Sequence, residues 1–210
     1  NYSYSQEWKW ANIIGQVTDT STINGMSKLS NNEIAVIGYT PNPYVLVEAG
    51  VNPFVSIINK DGNYKNSIKF GGSENATPIA IATDKDDHIY VAGNFYNVFF
   101  VVGKDTLYNK GNSDGFVIKL DKNLNILWVI PIASQYKDVL NDINLDSEGN
   151  IYVAGLTTTK YSYPDNTYET FLIKLPPESN VLWEKRGVTN SKAYTKSILI
   201  DQEDNCYWVS

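Results

Sequence analysis

The chain has 210 residues, of which 42% are hydrophobic and 19% are charged, a composition typical of a folded protein and not of a disordered one. Its formal charge of −6 and the lack of a long basic run argue against nucleic-acid binding, and the lack of any long apolar run argues against a membrane span. A single cysteine, Cys206, excludes an internal disulfide framework and a cysteine-rich zinc site.

The most informative feature of the sequence is an internal repeat, with a period of the order expected for the blades of repeat proteins. Each copy contains an aspartate that opens a polar turn, followed by a segment of the type Tyr-Val-Ala-Gly. The phenylalanines of a later segment recur at the same two intervals as the aspartates. These positions are Asp84, Asp146 and Asp201 for the aspartates and Phe54, Phe116 and Phe171 for the phenylalanines. The agreement between separate segments indicates that the chain consists of repeated units.

In chain order, each repeat predicts a strand before the aspartate turn, a second strand in the Tyr-Val-Ala-Gly segment, a third with the phenylalanine and a fourth with tryptophan. Residues 1–10, which contain Trp10, are predicted to be the last strand of a preceding unit. Residues 1–210 then form a single region with repeats near 11–66, 67–128 and 129–183 and a partial repeat at 184–210.

The pattern of side chains within the strands predicts which positions are buried. In the phenylalanine strands, alternation places Lys119 and Lys174 at equivalent positions of successive repeats, on the less buried side. Trp128 and Trp183, which are separated by the same interval as these lysines, are expected to pack one unit against the next and not to bind a ligand. The first repeat has Asn66 at the tryptophan position, which predicts weaker packing there.

Four antiparallel strands in each period are the signature of a β-propeller blade, and a sheet of this size with two apolar faces needs neighbours on both sides. We therefore expect an all-β fold with about three complete blades plus partial first and last blades. Such a set forms an incomplete ring, because closing it would leave unpaired strand edges. The missing strands are expected to come from the remainder of the polypeptide or from another chain.

The second repeat contains the segments AIATD, HIYVAGNF, GNSDGFVIKLD and NILW, at residues 80–84, 88–95, 111–121 and 125–128. In this set of spaced motifs the chain resembles the bacterial SBBP-type β-propeller repeat family, whose members are secreted or surface proteins, often from Bacteroidetes. The resemblance covers nearly the whole chain. It implies a propeller fold, an extracellular location and a scaffold or adhesion role, and it carries over no catalytic residue.

No residue pattern predicts a catalytic site or a metal site. His88 is the only histidine, and it occupies a turn position where other repeats have Asn150 and Asn205, so the turn explains it without a catalytic role. The acidic turn at Asp84 begins like a calcium-binding loop, but its twelfth position is Phe95 where a bidentate glutamate is needed. Capping of a hairpin is the expected role, with structural calcium as the alternative and no other cofactor.

The segment 157–168 is polar and rich in tyrosine, and it lies between the second and third strands of its repeat. Aromatic loops on rigid scaffolds often carry recognition, because tyrosine offers contact area at a small entropic cost. Tyr161, Tyr163 and Tyr168 are therefore the candidate binding residues. The alternative is an ordinary edge loop whose tyrosines pack on their neighbours.

These observations favour a non-enzymatic extracellular propeller that serves as a scaffold or binding module of a larger secreted or cell-surface protein, with a protein or glycan partner. One alternative is a propeller enzyme, a lyase or hydrolase, whose site would need polar side chains from several blades on the axial face. Another is a carbohydrate-binding lectin, which would repeat its aromatic pockets from blade to blade. No nucleic-acid partner and no membrane span are expected.

Overall fold

The computed structural model describes residues 21–41, 51–71, 75–96, 98–160, 167–178, 183–189 and 195–209 of the chain. Within these ranges all the regular structure is β-strand, in sixteen strands that pair antiparallel. β-branched and aromatic residues fill the strands and short polar turns join them, which is why this sequence forms sheets. No helix in these ranges is long and apolar enough to cross a membrane. The strand predicted at residues 1–10 lies outside them.

The strands of the described ranges form three four-stranded sheets, one two-stranded sheet and one inserted hairpin. Sheet 1 contains β1 (Thr22–Lys28), β2 (Ile34–Pro41), β3 (Val51–Ile58) and β4 (Tyr64–Lys69). Sheet 2 contains β5 (Ala76–Thr83), β6 (Ile89–Phe95), β9 (Asp114–Leu120) and β10 (Ile126–Ile132), and the hairpin inserted before β9 contains β7 (Phe99–Val102) and β8 (Asp105–Tyr108). Sheet 3 contains β11 (Asp138–Leu145), β12 (Ile151–Lys160), β13 (Thr167–Leu175) and β14 (Trp183–Thr189). Sheet 4 contains β15 (Ser197–Ile200) and β16 (Cys206–Val209).

The four-stranded antiparallel unit predicted from the repeat is confirmed. The sheets stack in chain order through their first strands, because β1 contacts β5, β5 contacts β11, and β11 contacts β15. In the part of the chain that the structure describes, extensive contacts between sheets join only consecutive sheets. The fold is therefore an all-β, propeller-like stack arranged as an open arc.

Three hydrophobic cores lie between consecutive sheets, so sheets 2 and 3 are covered on both faces. In β9, Phe116 and Ile118 belong to the core shared with sheet 1, whereas Val117 belongs to the core shared with sheet 3. Lys119 and Lys174 occupy equivalent register positions, as predicted, opposite the tyrosines of their second strands. The prediction that these lysines lie on the less buried side of their strands is wrong for Lys119. This residue is 8% exposed, because the neighbouring sheet covers that face.

The glycine that ends each Tyr-Val-Ala-Gly segment is needed for close packing. Gly93 in β6 pairs with Phe116 in β9, and a Cβ atom at Gly93 would lie 2.3 Å from the phenylalanine ring. It would also lie 2.6 Å from the carbonyl oxygen of Thr77. Gly38 and Gly155 meet the same two obstacles in their sheets. The phenylalanine ring therefore lies over the glycine, which explains why the two residue types recur together.

The hairpin formed by β7 and β8 was not predicted, and it accounts for the longer period of the second repeat. The interval along the chain from Asp84 to Phe116, which contains the hairpin, is seven positions longer than the interval from Asp146 to Phe171. The spacing from Asp84 to Asp146 exceeds the spacing from Asp146 to Asp201 by the same amount. Phe100 of the hairpin packs on Phe116, with ring centroids 4.8 Å apart. The insertion therefore extends the core between sheets 1 and 2.

Trp128 joins sheets 2 and 3, as predicted, and Trp183 packs against the core between sheets 3 and 4. Trp128 packs edge-on against Tyr90, with ring centroids 6.2 Å apart, and its Nε1–H donates to the carbonyl oxygen of Pro177 in sheet 3 at 3.1 Å. Trp183 packs in the same way on Tyr152, with centroids 5.9 Å apart. Each tryptophan thus extends the buried surface next to a buried tyrosine.

Asn66 replaces the tryptophan in sheet 1 but keeps part of its role. Its Nδ2 group donates to the carbonyl oxygen of Asn123 in sheet 2 at 3.2 Å. The first repeat therefore retains a side-chain hydrogen bond across its junction, although it loses the aromatic ring.

Trp128→Ala is expected to lower the free energy of unfolding by about 3 kcal/mol, because it removes a large half-buried ring and an inter-sheet hydrogen bond. Trp128→Phe, which loses mainly the hydrogen bond, is expected to lower it by about 1 kcal/mol. Leu127→Ala is the matched control, since the Leu127 side chain is 48% exposed. Urea unfolding followed by circular dichroism measures all three. Wild-type stability for Trp128→Ala would contradict the packing role.

Candidate functional site

One end of the stack, which we call the turn face, carries the turns between first and second strands, at residues 29–33, 84–88, 146–150 and 201–205. A backbone hydrogen bond from the first to the last residue closes each of these turns. In sheet 3, Asp146 Oδ1 accepts hydrogen bonds from the backbone N–H groups of Glu148 and Asn150, and Oδ2 accepts one from the Asn150 side chain. This is the capping role that the sequence predicts for the acidic turns.

Behind the turn of sheet 3, Asp146 is part of a charged cluster. Its Oδ2 lies 2.9 Å from Lys174 Nζ and accepts a hydrogen bond from the Tyr152 hydroxyl at 3.3 Å. Lys174 Nζ also lies 4.9 Å from the centre of the Tyr152 ring. Burial acts to raise the pKa of Asp146, but the hydrogen bonds from Asn150 and Lys174 outweigh it and hold this pKa below its ordinary value. The carboxylate and the ammonium therefore stabilise each other.

The corresponding cluster in sheet 2 is paired differently. His88 Nδ1 lies 2.9 Å from Asp84 Oδ2, in the place taken by the asparagine amide in sheet 3. The Tyr90 hydroxyl donates to the same oxygen at 3.0 Å. Lys119 Nζ instead reaches the carbonyl oxygen of Pro177 in sheet 3, at 3.4 Å. In sheet 2 the carboxylate is thus bound by the histidine and the tyrosine, and the lysine bonds to the next sheet instead.

A cleft of about 660 Å³ opens on the turn face where sheets 2 and 3 meet. Its walls are partly apolar, with Ile81, Ala82 and Leu145 among them. Its ionisable lining residues are five carboxylates, two lysines and one histidine. They are Asp84, Asp86, Asp142, Asp146, Glu148, Lys85, Lys119 and His88. A concave site of this size with mixed apolar and polar walls is suited to a small ligand or to part of a peptide.

No sequence pattern predicted this cleft. Ser27, Lys119 and Asp142 all line it, although they come from three different sheets. Such residues meet only when the sheets stack, so no local motif reports them. A comparison of the repeats position by position could have indicated the cleft. Lys85 stands where two other repeats have serine, and Gly149 stands where two other repeats have aspartate.

Asp84, Asp86 and His88 form a group, within the described ranges, whose ligand atoms lie within 4.8 Å of one another and could hold a metal ion. Both oxygens of Asp84 are already hydrogen-bond acceptors: Oδ1 from the backbone of Asp86 and His88, and Oδ2 from the side chains of His88 and Tyr90. A metal ion would displace bonds that hold the turn. Structural calcium therefore stays a prediction.

Two of the three tyrosines predicted to bind a ligand, Tyr161 and Tyr163, lie outside the described residues. Tyr168 is in β13, where it is half-buried and pairs with Thr158 and Thr189 on the adjacent strands. It lies near the start of β13, at the end of the sheet away from the turn face, and does not line the cleft. The binding role of these tyrosines stays a prediction.

At the opposite end of the stack, which we call the loop face, Asp114 and Asp138 begin β9 and β11. Asp114 is fully buried and Asp138 is 4% exposed. Asp114 Oδ2 accepts a hydrogen bond from the backbone N–H of Lys110, whereas Oδ1 has no partner among the described residues. Burial raises the pKa of Asp114 to about 6, and the nearby Asp138 carboxylate adds to the rise.

Comparison with known proteins supports the propeller fold. An uncharacterised WD repeat-containing protein, L264, from Acanthamoeba polyphaga mimivirus is 24% identical over 187 aligned residues. The alignment covers 71% of this chain and 13% of the viral protein, so the chain spans a small part of that relative's length. No protein-family model matches the sequence. The four-stranded antiparallel sheets and this similarity together indicate a repeat protein of the β-propeller type.

Asp114 is expected to make stability fall as the pH rises from about 4 to about 6. The folded state holds its proton up to about pH 6, whereas the unfolded chain loses it near the ordinary value of 3.8. Asp114→Asn keeps an acceptor for the Lys110 N–H and removes the charge. The first repeat already has an asparagine, Asn52, at this position. As the pH rises from 4 to 7, the free energy of unfolding of the variant should rise by about 2 kcal/mol relative to that of the wild type.

Denaturant unfolding across this pH range measures the effect. Asp114→Ala is the comparison variant, because it removes the acceptor for the Lys110 N–H together with the charge. Its free energy of unfolding should therefore be lower than that of Asp114→Asn at every pH. Parallel stability profiles for the wild type and Asp114→Asn would show that the Asp114 carboxyl does not titrate as inferred.

Proposed function

We propose that this chain is a non-enzymatic, extracellular β-propeller module that binds a protein partner on its turn face, within a larger secreted or cell-surface protein. The resemblance to the bacterial SBBP-type repeats supports the location. Stacked repeats of this kind form extended surfaces that other proteins can contact, and the similarity to a WD repeat-containing protein supports such a scaffold.

The observation that carries the proposal is the cleft, because four of its eight ionisable side chains are engaged in holding the fold. Asp84 and Asp146 cap their turns, and His88 is bound to Asp84. Asp142 Oδ2 accepts hydrogen bonds from the hydroxyl of Ser197 at 2.8 Å and from the backbone N–H of Ile198 at 2.7 Å. General acid–base catalysis needs a group that can exchange protons with a substrate. Ionisable side chains that already hold turns and junctions between sheets are suited to a binding surface and not to catalysis.

A glycan partner is the second candidate, and it rests on the tyrosine-rich segment 157–168. A lectin with one aromatic pocket per blade is disfavoured, because the aromatic residues that recur between sheets 2 and 3 are needed for packing. Tyr90 is fully buried and Tyr152 is 5% exposed, so neither ring presents a face to a sugar.

We also propose that further strands, from the remainder of the polypeptide or from another chain, cover sheet 4. This sheet exposes three large apolar side chains, which are Leu199, Tyr207 and Val209 at 60%, 54% and 61%. Exposed apolar side chains on a two-stranded sheet are typical of a surface that packs against another element.

His88→Asn tests the proposal because it gives sheet 2 the turn residue that sheets 3 and 4 already have. The labelled 210-residue chain is incubated with protein and glycan arrays, and hydrogen exchange of the resulting complex maps the contact surface. We expect a protein ligand that protects residues 84–88 and 142–149, with equal binding by the wild type and His88→Asn. Asp84→Ala is the control, because losing the turn cap should weaken that binding.

The outcome that would contradict the proposal is catalytic. If the wild-type chain turned over a substrate, bound no array ligand, and lost its activity in His88→Asn at unchanged stability, the cleft would be an active site. Protection confined to residues 157–168, with a glycan as ligand, would favour the second candidate.

A further inference from the structure

On the turn face, two of the three junctions between consecutive sheets are closed by what we call a carboxylate clamp. Between sheets 1 and 2, the two oxygens of Asp87 accept hydrogen bonds from the backbone N–H and the hydroxyl of Ser30, each at 2.7 Å. Between sheets 3 and 4, Asp204 accepts the same pair of bonds from Ser147, at 2.8 and 2.5 Å. In both clamps the serine is the second residue of its turn, and the aspartate is the fourth residue of the turn in the next sheet.

The junction between sheets 2 and 3 has neither residue of the clamp. Lys85 stands at the serine position, as the second residue of its turn, and Gly149 stands at the aspartate position, as the fourth residue of its turn. The cleft lies at this junction and is lined by both Lys85 and Gly149. A Cβ atom at Gly149 would lie 3.7 Å from its nearest neighbour, a side-chain carbon of Pro177. The space that a carboxylate fills at the other two junctions is therefore open at this one.

The first strand of sheet 2 also lacks polar side chains that its counterpart uses. In β11, Asp142 and Asn144 make hydrogen bonds across the junction to β15. The residues at the corresponding positions of β5 are Ala80 and Ala82. Four positions thus differ in the same direction, and together they leave the turn-face side of this junction without the bonds that join sheets 3 and 4.

Lys119 supplies a second, independent indication of a ligand. Its side chain is buried, at 8% exposure, and lines the cleft. Its described polar contacts are a long hydrogen bond to the Pro177 carbonyl oxygen and the Tyr90 ring, 5.1 Å from Nζ. Lys174, at the equivalent position, has a carboxylate at 2.9 Å. A buried ammonium without an anion is costly, so the site favours a ligand that brings one.

We propose that the cleft between sheets 2 and 3 binds the carboxylate of an acidic side chain from the protein partner. The backbone N–H of Lys85 takes the part that serine N–H groups have in the two clamps, and the ammonium groups of Lys85 and Lys119 replace the serine hydroxyl. The inference rests on the proposed function for the source of the carboxylate, and on the repeat geometry for the site.

Three of the five carboxylates that line the cleft are already engaged within the protein. Asp84, Asp142 and Asp146 accept hydrogen bonds from several protein donors, and Asp146 is also paired with Lys174. The clamp between sheets 1 and 2 also forms near another acid, since the Asp87 carboxylate acts to raise the pKa of Glu33. Defined N–H donors thus hold a carboxylate next to other acids, and Lys85 adds a positive charge that the clamps lack.

The test uses the isotope-labelled 210-residue chain and two peptides, acetyl-Gly-Glu-Gly-amide and acetyl-Gly-Gln-Gly-amide. We expect the glutamate peptide to shift the backbone amide resonances of Lys85 and Gly149 saturably, and the glutamine peptide to leave them unchanged. The affinity should fall as the salt concentration rises, because an exposed ion pair is screened.

The double variant Lys85→Ser, Gly149→Asp installs the clamp in the chain itself. Aspartate is compatible with the backbone there, because Asp87 and Asp204 have φ of 63° and 62° at the corresponding positions. This variant should bind the glutamate peptide at least about tenfold more weakly than the wild type and unfold at a higher temperature. Lys119→Met should also weaken binding by about tenfold, whereas the exposed control Lys122→Ser should bind as the wild type does.

Equal shifts from both peptides, or wild-type affinity in the double variant, would overturn the carboxylate site. The two proposals fail separately. If a protein partner protects the turn face but the glutamate peptide does not bind, the carboxylate inference is wrong and the proposed function stands. If the glutamate peptide binds but no protein partner exists, the anion site stands and the proposed function is wrong.

Discussion

The structure depends on one constraint, which is that the inner sheets are apolar on both faces. β9 sends Phe116 and Ile118 into one core and Val117 into another, so neither face can be left in water. Burying both faces requires stacking, and stacking in chain order brings corresponding parts of successive repeats together. This is why many hydrogen bonds between sheets join residues that are about one repeat apart in the sequence, such as Asn24 to Pro78 and Lys119 to Pro177. The repeat in the sequence and the arc in space therefore have the same physical cause.

Because the repeats share a backbone, buried side chains at corresponding positions change as sets. Behind its turn, sheet 3 has a charged set of side chains, which are Asp146, Tyr152 and Lys174. The corresponding positions of sheet 1 hold an apolar set, which are Leu29, Ala35 and Ile57. A single charged member left in the apolar set would be buried without a partner, at a cost of several kcal/mol. Sheet 2 lies between these cases, because its carboxylate is bound by His88 while Lys119 contacts a carbonyl oxygen and an aromatic ring.

The sequence predicted the features that depend on local pattern and period. The strand alternation, the aspartate turns and the joining role of Trp128 are of this kind, because each needs only near neighbours and a repeat distance. The inserted hairpin was missed although the extra length of the second repeat was visible, since an apolar segment such as 99–102 also resembles an ordinary strand. The burial of Lys119 was missed because alternation describes one sheet and not its neighbour. The cleft was missed for the same reason, as its walls come from turns and strands far apart in the chain.

A junction without the carboxylate clamp remains stable here because other contacts join the two sheets. Sheets 2 and 3 share a core, Trp128 and Lys119 bond across it to Pro177, and Asn94 exchanges two hydrogen bonds with the Leu140 backbone at 2.7 and 3.0 Å nearer the loop face. The open part therefore lies between two sheets that are joined through their core and by these bonds. A ligand that enters such a gap orders little of the protein, so less of its contact energy is lost to conformational entropy. Replacing the two clamp residues at one junction is thus a small change in the sequence. In a stack whose other junctions keep their clamps, it leaves a pre-organised site.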